Sequence, residues 1–314
     1  MSFEIRRYTA DDAEAWNRFV ATSRQGTFLF NRGYMGYHAD RFTDCSLIAT
    51  HKGKVRAVLP ANRKDKVLVS HGGLTYGGLL TDNKLKVTDV REIFRAINAY
   101  LKTVGIQHVI YKAMPWIYHR IPAEEDLYAL TEDCHARLLS REISSTIILS
   151  RRLPFEESRK SGMRKAKREG VTCRESDDLE VFWNILNNNL SQKYGTHPVH
   201  TLDELRLLRH RFPKEIRLFM AYKDSTPVGG TLVYDTGQVV HTQYISASPE
   251  GKACGALDLL FDKVINETYA DRLIFDFGKS TEDAGHYLNE HLIFQKEGFG
   301  GRGVCYDTYA YDIV

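Results

Sequence analysis

The chain has 314 residues, of which 43% are hydrophobic and 26% are charged, a composition typical of a folded globular protein. Its 43 basic and 40 acidic residues nearly balance, so overall charge gives no argument for nucleic acid or a membrane surface as a partner. The length predicts two domains, each large enough for a hydrophobic core of its own.

The cysteines and the apolar segments indicate where the protein works. Five scattered cysteines form no CxxC pair and no zinc-ligand spacing, so we expect reduced thiols and no metal. Residues 1–8 contain no apolar segment of the kind found in signal peptides. The chain contains no run of about 18 apolar residues, so no membrane-spanning helix is predicted. We therefore expect a cytoplasmic protein.

In the first half of the chain, a strand and a helix are followed by a strand meander and then by helix, strand, helix and strand. Thr9 before two aspartates predicts a helix start, and Gly105 predicts a helix end. A glycine-rich stretch at 72–78 follows the meander. We predict strands at 3–8, 46–51, 55–62, 67–70, 108–112 and 138–149, and helices at 9–22 and 87–104.

The second half repeats this order of elements, which suggests an internal duplication. We predict helices at 155–169, 179–193, 256–269 and 284–295, and strands at 171–174, 216–222, 227–234, 239–246, 273–277 and 306–313. Two arginines and a proline interrupt the pattern at 150–154. The predicted fold is therefore mixed α/β with two domains, at 1–150 and 151–314.

The segment Phe275–Ser280 is the first candidate site. A strand ends there in Gly-Lys-Ser before a predicted helix, so Lys279 and Ser280 are candidates for binding an anion at a helix N-terminus. The glycine that a phosphate-binding Walker loop requires is absent, because Leu273 occupies its place. The alternative is an ordinary turn in which Asp276 is buried and hydrogen-bonded.

The segment Phe294–Gly301 is the second candidate site. Its glycines, among them Gly298 and Gly300, allow close approach of a ligand to the backbone. Lys296, at the end of a helix, is placed to meet a negative group or a developing oxyanion. The alternative is that Lys296 only complements the helix dipole.

A basic run and several histidines leave two interpretations open. Arg159, Arg164 and Lys165 belong to a run that forms either a solvated helix face or a patch for CoA, tRNA or a diphosphate-linked substrate. His197 and His241 either line a cleft or are buried and satisfied. Strand alternation predicts that His241, Gln243 and Ile245 share one face, with Tyr244 on the other.

Six stretches occur in a definite order: a glycine-rich segment in the first half, the basic run, a Tyr-Gly-x-His-Pro turn, a Val-Gly-Gly in the meander, a Phe-Asp-Phe-Gly-Lys-Ser segment, and a Lys-x-x-Phe-Gly element. They lie at Ser70–Leu80, Arg159–Val171, Tyr194–Pro198, Val228–Gly230, Phe275–Ser280 and Gln295–Gly300. In this order they resemble the FemAB-like / BioF2-like branch of the GNAT superfamily. The match covers most of residues 28–305, with Gln295 where the family has phenylalanine.

The resemblance implies two tandem GNAT-like domains, each a largely antiparallel mixed sheet flanked by helices. Such enzymes transfer an aminoacyl group from tRNA to a peptidoglycan precursor, or an acyl group from CoA to an amine. It also implies that Lys296 stabilises phosphate or the tetrahedral intermediate and that Asp276 lies beside the amine. A turn at Lys252 and Gly255 corresponds to the pyrophosphate turn, although an ordinary helix start is the alternative. The long helical arm of some tRNA-dependent members has no counterpart here.

These observations lead to an N-acyltransferase hypothesis with acyl-CoA as the co-substrate. The amine acceptor is an unidentified one, for example a cell-envelope or polysaccharide precursor of a bacterium. Direct transfer needs no covalent intermediate. In this hypothesis Asp276, or a water it holds, takes the proton of the amine. Lys296 and a backbone N–H from the strand predicted at 239–246 stabilise the oxyanion. Tyr244 is a further binding candidate. The alternatives are aminoacyl-tRNA as the donor, or an inactive module that binds a nucleotide or glycolipid. The sequence does not predict the oligomeric state.

Overall fold

The computed structural model describes residues 2–194 and 197–314. The strands are β1 (Glu4–Arg7), β2 (Thr43–Asp44), β3 (Leu47–His51), β4 (Lys54–Leu59), β5 (Asn62–Lys64), β6 (Val67–Val69), β7 (Leu80–Thr81), β8 (His108–Lys112), β9 (Arg137–Ile148), β10 (Thr172–Ser176), β11 (Ile216–Lys223), β12 (Thr226–Asp235), β13 (Val239–Ala247), β14 (Ile274–Lys279), β15 (Thr281–Glu282), β16 (Tyr287–Leu288) and β17 (Arg302–Asp312).

The helices are α1 (Ala13–Thr22), α2 (Arg32–Met35), α3 (Val87–Thr103), α4 (Glu125–Glu132), α5 (Glu157–Arg168), α6 (Leu179–Tyr194), α7 (Leu202–Arg211), α8 (Pro249–Cys254), α9 (Ala256–Lys263) and α10 (Glu290–Gly298). None of the helices in the described ranges combines the length and the apolar character that crossing a membrane requires. The predicted turn at Tyr194–Pro198 lies partly outside the described residues.

Two compact units make up the chain. The first takes the chain up to Glu142 together with Asp283–Tyr287 and Cys305–Val314, and the second takes Ile143–Glu282 and Leu288–Val304. The predicted limits, 1–150 and 151–314, assigned the whole C-terminal end to the second domain. In the structure that end returns to the first unit, because the last part of β17 pairs with β8.

The first unit contains two groups of paired strands. One has the order β1-β3-β4-β7, and the other joins β2, β5, β6, β8 and the end of β17, with β6 and β8 parallel. The strand predicted at 55–62 is interrupted at Pro60, because proline has no N–H for the sheet. The apolar positions of α3 recur at helical spacing and are buried in this unit's core: Val90, Ile93, Phe94, Ile97 and Leu101.

The second unit is a sheet of order β10-β11-β12-β13-β14-β9. All neighbouring strands in it are antiparallel except β13 and β14, which are parallel because the chain crosses over through α8 and α9 between them. One face of the sheet packs on α9 through a cluster of phenylalanine rings. These rings belong to Phe261, Phe275, Phe277 and Phe299.

A β-bulge changes which side chains share a face of β13. Val233 pairs with Thr242, and the preceding residue of β12, Leu232, pairs with Tyr244, so Gln243 is the extra residue. The bulge turns Tyr244 to the same face as His241. The predicted alternation, with these two side chains on opposite faces, is therefore wrong, because one inserted residue reverses the alternation beyond it.

The helix predicted at 284–295 begins later, at Glu290. The residues before it form two short strands and a turn, in which Asp283 and Ala284 have positive φ angles of 49° and 50°. Such angles interrupt a right-handed helix. Asn289 then caps α10, since its side chain accepts a hydrogen bond from the backbone N–H of Leu292.

Candidate active site

The second unit contains a cavity of about 630 Å³ at the ends of β13 and β14. In the described part of the chain, the two strands pair over Val239–His241 and Ile274–Asp276. The cavity is lined by residues that follow these paired segments on both strands. Its wall combines apolar and polar side chains. The apolar ones are Leu190, Ile245, Ala247, Leu257, Phe261, Phe277, Leu292 and Phe299, and the polar ones are Asn189, Ser246, Lys252, Glu282, Asn289, His291, Gln295 and Lys296. A concave site that combines apolar surface with polar groups is typical of ligand binding.

Lys296 provides a buried cation in this wall. The residue is 4% exposed, and its ammonium donates to the carbonyl oxygens of Gly278 and Lys279, both at 2.8 Å. An ammonium has three N–H donors, so one remains for a ligand in the cavity. Burial lowers the pKa of Lys296 to about 8, although Asp276 acts in the opposite direction. The group therefore stays mainly protonated near pH 7, in a poorly solvated position.

Asp276 is fully buried and is held by three side chains. Its Oδ1 accepts hydrogen bonds from the hydroxyls of Ser144 and Thr146, the latter at 2.9 Å. Its Oδ2 lies 2.7 Å from Nδ1 of His241. The described wall of the cavity includes Lys296 but not Asp276. The partners named here, Ser144, Thr146 and His241, are not part of that wall either. The predicted direct contact of Asp276 with an amine remains a prediction.

Gly278 lies between the histidine and the lysine. Its φ angle is +74°, and a Cβ added there would lie 3.0 Å from Cε1 of His241. Its carbonyl accepts the hydrogen bond from Lys296. A glycine is needed because a side chain would combine a strained backbone conformation with a close contact to the imidazole.

Other residues of the two predicted segments have packing roles in the structure. A Cβ at Gly298 would lie 3.2 Å from the Arg159 side chain, and one at Gly300 would lie 2.8 Å from the Leu153 carbonyl. The backbone of Ser280 donates to Ile143, and its oxygen accepts from Asn289. These glycines and this backbone thus pack against protein atoms, and their predicted ligand contacts remain predictions.

The predicted pyrophosphate turn is a helix. Residues Pro249–Cys254 form α8, whose cap Ser248 accepts a hydrogen bond from the N–H of Gly251 at 3.1 Å. The N–H of Lys252 donates to the Ser248 carbonyl. Gly255 has φ +77°, and a Cβ there would lie 2.5 Å from the Gly162 carbonyl of α5. The side chain of Lys252 lines the cavity, whereas the N–H groups of residues 251 and 252 are already used.

The basic run forms α5, and its three predicted residues differ in environment. Arg159 forms an ion pair with Asp258 at 2.8 Å, with both side chains largely buried. Arg164 pairs with Glu157 at the surface, and Lys165 lies 4.0 Å from Glu169. Arg159 therefore joins α5 to α9, while Arg164 and Lys165 belong to an exposed basic face.

Tyr244 belongs to a polar pair that the sequence analysis did not identify. Its hydroxyl lies 2.7 Å from Nδ1 of His200, and its ring packs edge-on against Trp183. Burial raises the pKa of Tyr244 to about 12, so the phenol stays protonated. The partners of Asp276, Ser144 and Thr146, were also missed, since β9 precedes β14 by more than a hundred residues. No local pattern could have joined them.

Comparison with known families supports the predicted resemblance. Residues 156–287 match the family model described as an acetyltransferase (GNAT) domain. No curated protein matches the chain. The matched range includes the β-meander, α8, α9 and β14, and it supplies more than half of the residues that line the cavity, whereas Lys296 lies outside it.

Solved structures resemble the fold along the whole chain. FemX has a TM-score of 0.69 at 11% identity, covering 98% of this chain and 97% of its own. The C-terminal domain of a putative lysylphosphatidylglycerol synthetase from Agrobacterium fabrum has a TM-score of 0.61 at 13% identity, covering 96% and 91%. A tandem GNAT protein from the clavulanic acid biosynthesis pathway has a TM-score of 0.51 at 12% identity, covering 100% and 99%. The predicted mixed α/β fold and the GNAT resemblance are confirmed.

Proposed function

We propose that this chain, which carries a GNAT domain over residues 156–287, transfers an acyl group from an activated donor to an amine. The observation that supports this proposal is the buried ammonium of Lys296 in the wall of the cavity. A cation held in advance by two carbonyl groups needs little reorganisation when negative charge develops beside it.

The residues suggest how such a transfer proceeds. The amine attacks the donor carbonyl, and the carbonyl oxygen becomes negative while the tetrahedral intermediate forms. Lys296 offers its remaining N–H to this oxygen from a site of low polarity, where an electrostatic interaction is stronger than in water. Asp276, buried behind His241, keeps a negative charge near Lys296. Transfer then takes place in a ternary complex without a covalent enzyme intermediate.

An acyl-CoA thioester is the donor class that we propose. The matching model describes acetyltransferases, and the apolar side chains of Leu257, Phe261 and Phe277 suit a thioester arm. The ammonium of Lys252, also in the wall, suits a phosphate of the donor. Because the N–H groups of Gly251 and Lys252 are engaged in α8, phosphate binding would depend on side chains more than on a backbone turn.

Aminoacyl-tRNA is the second donor that we consider. The exposed basic face of α5, with Arg164 and Lys165, suits a phosphate backbone, and FemX has a similar fold. The two donors differ in their expected salt dependence. Binding through several phosphate contacts weakens steeply as salt increases, whereas insertion of an acyl arm into an apolar cavity does not.

A binding and turnover panel tests the proposal. Acetyl-CoA, longer acyl-CoAs and charged tRNA would each be added to the protein, with free CoA and uncharged tRNA as controls. Ligand at about 100 times its Kd stabilises the folded state by about 2.7 kcal/mol, which a thermal melt detects. A rise in Tm with acyl-CoA, followed by release of free thiol with an amine acceptor, supports the first donor. Salt-sensitive binding of charged tRNA supports the second, and neither binding nor turnover with any donor contradicts the proposed function.

A further inference from the structure

His241 occupies the last paired position of the β13–β14 ladder, opposite Asp276. Beyond this point the strands supply the wall of the cavity, through Ile245 on β13 and Phe277 on β14. The backbones remain close for one more residue, because the hydroxyl of Thr242 donates to the Phe277 carbonyl at 3.0 Å. His241 itself is not among the side chains that line the cavity. Its imidazole lies against Gly278, the residue whose carbonyl binds the cavity lysine Lys296.

The hydrogen bonds of Asp276 determine the orientation of the imidazole. An ionised carboxylate only accepts hydrogen bonds, so Nδ1 of His241 must carry the proton that it shares with Oδ2 at 2.7 Å. Nε2 is then the nitrogen with a free lone pair in the neutral ring. Ser144 and Thr146 hold the other carboxylate oxygen, so Asp276 cannot rotate away from the histidine.

Side-chain exposure and position favour His241 over Asp276 as the group that accepts a proton. The side chain of His241 is 11% exposed, whereas that of Asp276 is completely buried. The Cε1–Nε2 edge of the ring lies toward Gly278, with 3.0 and 3.6 Å to a Cβ added there. The carbonyl of the same glycine binds Lys296. A proton acceptor and a cation therefore both contact Gly278, and the cation belongs to the wall of the cavity.

We infer that Nε2 of His241 is the proton acceptor of the acyl transfer and that Asp276 is its positioning residue; this inference rests on the proposed function. A neutral amine forms a C–N bond to the donor carbonyl carbon, and its surplus proton passes to Nε2. The tetrahedral intermediate then collapses, and the bond from the carbonyl carbon to the sulfur or oxygen of the donor breaks. The leaving group receives the proton from Nε2, so the enzyme returns to its starting state.

Two isosteric replacements separate a base from a structural histidine. In His241→Asn the side-chain amide nitrogen takes the place of Nδ1, so it keeps the donor to Asp276 but removes the base. His241→Gln places an amide near Nε2 and gives up the bond to Asp276. We expect both variants to lose on the order of 10²-fold or more in kcat with little change in KM, since general base catalysis contributes about this much. His210→Gln, at an exposed position of α7, is the control and should keep wild-type kcat.

Chemical rescue provides the second measurement. Imidazole in the buffer should restore part of the turnover of His241→Ala, because it can enter the vacated space and accept the proton, and it should not affect Lys296→Ala. If His241→Asn keeps wild-type kcat, the histidine only positions its neighbours and the inference is wrong. If His241→Asn does not fold, failure of imidazole to rescue His241→Ala contradicts the inference. Wild-type protein without turnover for any donor contradicts the proposed function itself, and the inference with it.

Discussion

Each unit of the molecule buries a carboxylate beside a ring, and the two arrangements differ in what surrounds them. In the first unit, Asp126 accepts a hydrogen bond from the hydroxyl of Tyr111 at 2.5 Å, and that hydroxyl accepts the N–H of Leu79. In the second unit, Asp276 bonds to the imidazole of His241. Both carboxylates are buried, yet only the second lies near a cation in a cavity wall.

The difference shows that burial of an acid is not in itself evidence for a catalytic site. Burial raises the pKa of Asp126 to about 6, and its hydrogen bonds end within the core of its unit. Those of Asp276 lead to a ring that lies against Gly278, whose carbonyl binds the cavity lysine Lys296, and the charge of Asp276 acts on that lysine. What distinguishes the two hydrogen-bond networks is therefore the group to which the buried acid is bonded, and not the burial of the acid itself.

Removing the cation from the second unit should have the largest effect. We expect Lys296→Ala to lower kcat by on the order of 10²-fold or more, because it removes the donor to the developing oxyanion. Steady-state kinetics with the donor that the binding and turnover panel identifies measures this effect. Lys214→Ala, on the surface, is the control and should keep wild-type kcat. Unchanged turnover in Lys296→Ala would exclude the lysine from the mechanism.

The pH dependence of kcat gives a second test of the same lysine. The pKa of Lys296 is lowered to about 8, and only its protonated form stabilises an oxyanion. The wild-type kcat should therefore fall as pH rises through about 8. If kcat increases through this range instead, Lys296 acts as a base in its neutral form, and its proposed role is wrong.

A methyl group at Gly278 should have a smaller effect on turnover. Gly278→Ala places a Cβ against His241, whereas Gly237 has a similar positive φ, +86°, and open space around it. Both substitutions share the backbone strain, about 1–2 kcal/mol, so Gly237→Ala is the matched control. We expect Gly278→Ala to lower kcat by about tenfold through displacement of the imidazole, with kcat almost unchanged in Gly237→Ala. Equal kcat values in the two variants would show that only strain matters.

The first unit should show an effect on stability alone. The pKa of Asp126 is raised from 3.8 to about 6, so the folded state favours its neutral form. The resulting stabilisation is complete below pH 3.8 and is lost as pH rises through about 6, a change of about 3 kcal/mol in the free energy of unfolding.

Asp126→Asn cannot ionise and should lack this part of the pH dependence, with no change in turnover once folded. Thermal melts of wild type and variant between pH 4 and pH 7 provide the measurement. Parallel dependence of Tm on pH in the two proteins would show that Asp126 does not ionise in this range. A loss of turnover in the folded variant would contradict the contrast between the two carboxylates.

The sequence by itself determined the class of fold and most of the longer elements, whereas α7, α8, β15 and β16 were not predicted. Period and turn residues predicted β11, β12 and β13 within one or two residues, because short strands and tight turns depend on neighbouring residues. Helix α3 was predicted for the same reason, from its own apolar spacing. Lys296 was recognised as a candidate cation because it precedes a run of glycines.

Only the tertiary structure decided how these parts form a site. Ser144 and Thr146 reach Asp276 through the pairing of β9 with β14, and strand pairing over such distances depends on the whole sheet. The bulge at Gln243 turned Tyr244 to the face of His241, because one extra residue shifts the alternation of all that follow. The cavity beside Lys296 likewise arises where two paired strands separate, which depends on packing rather than on local sequence.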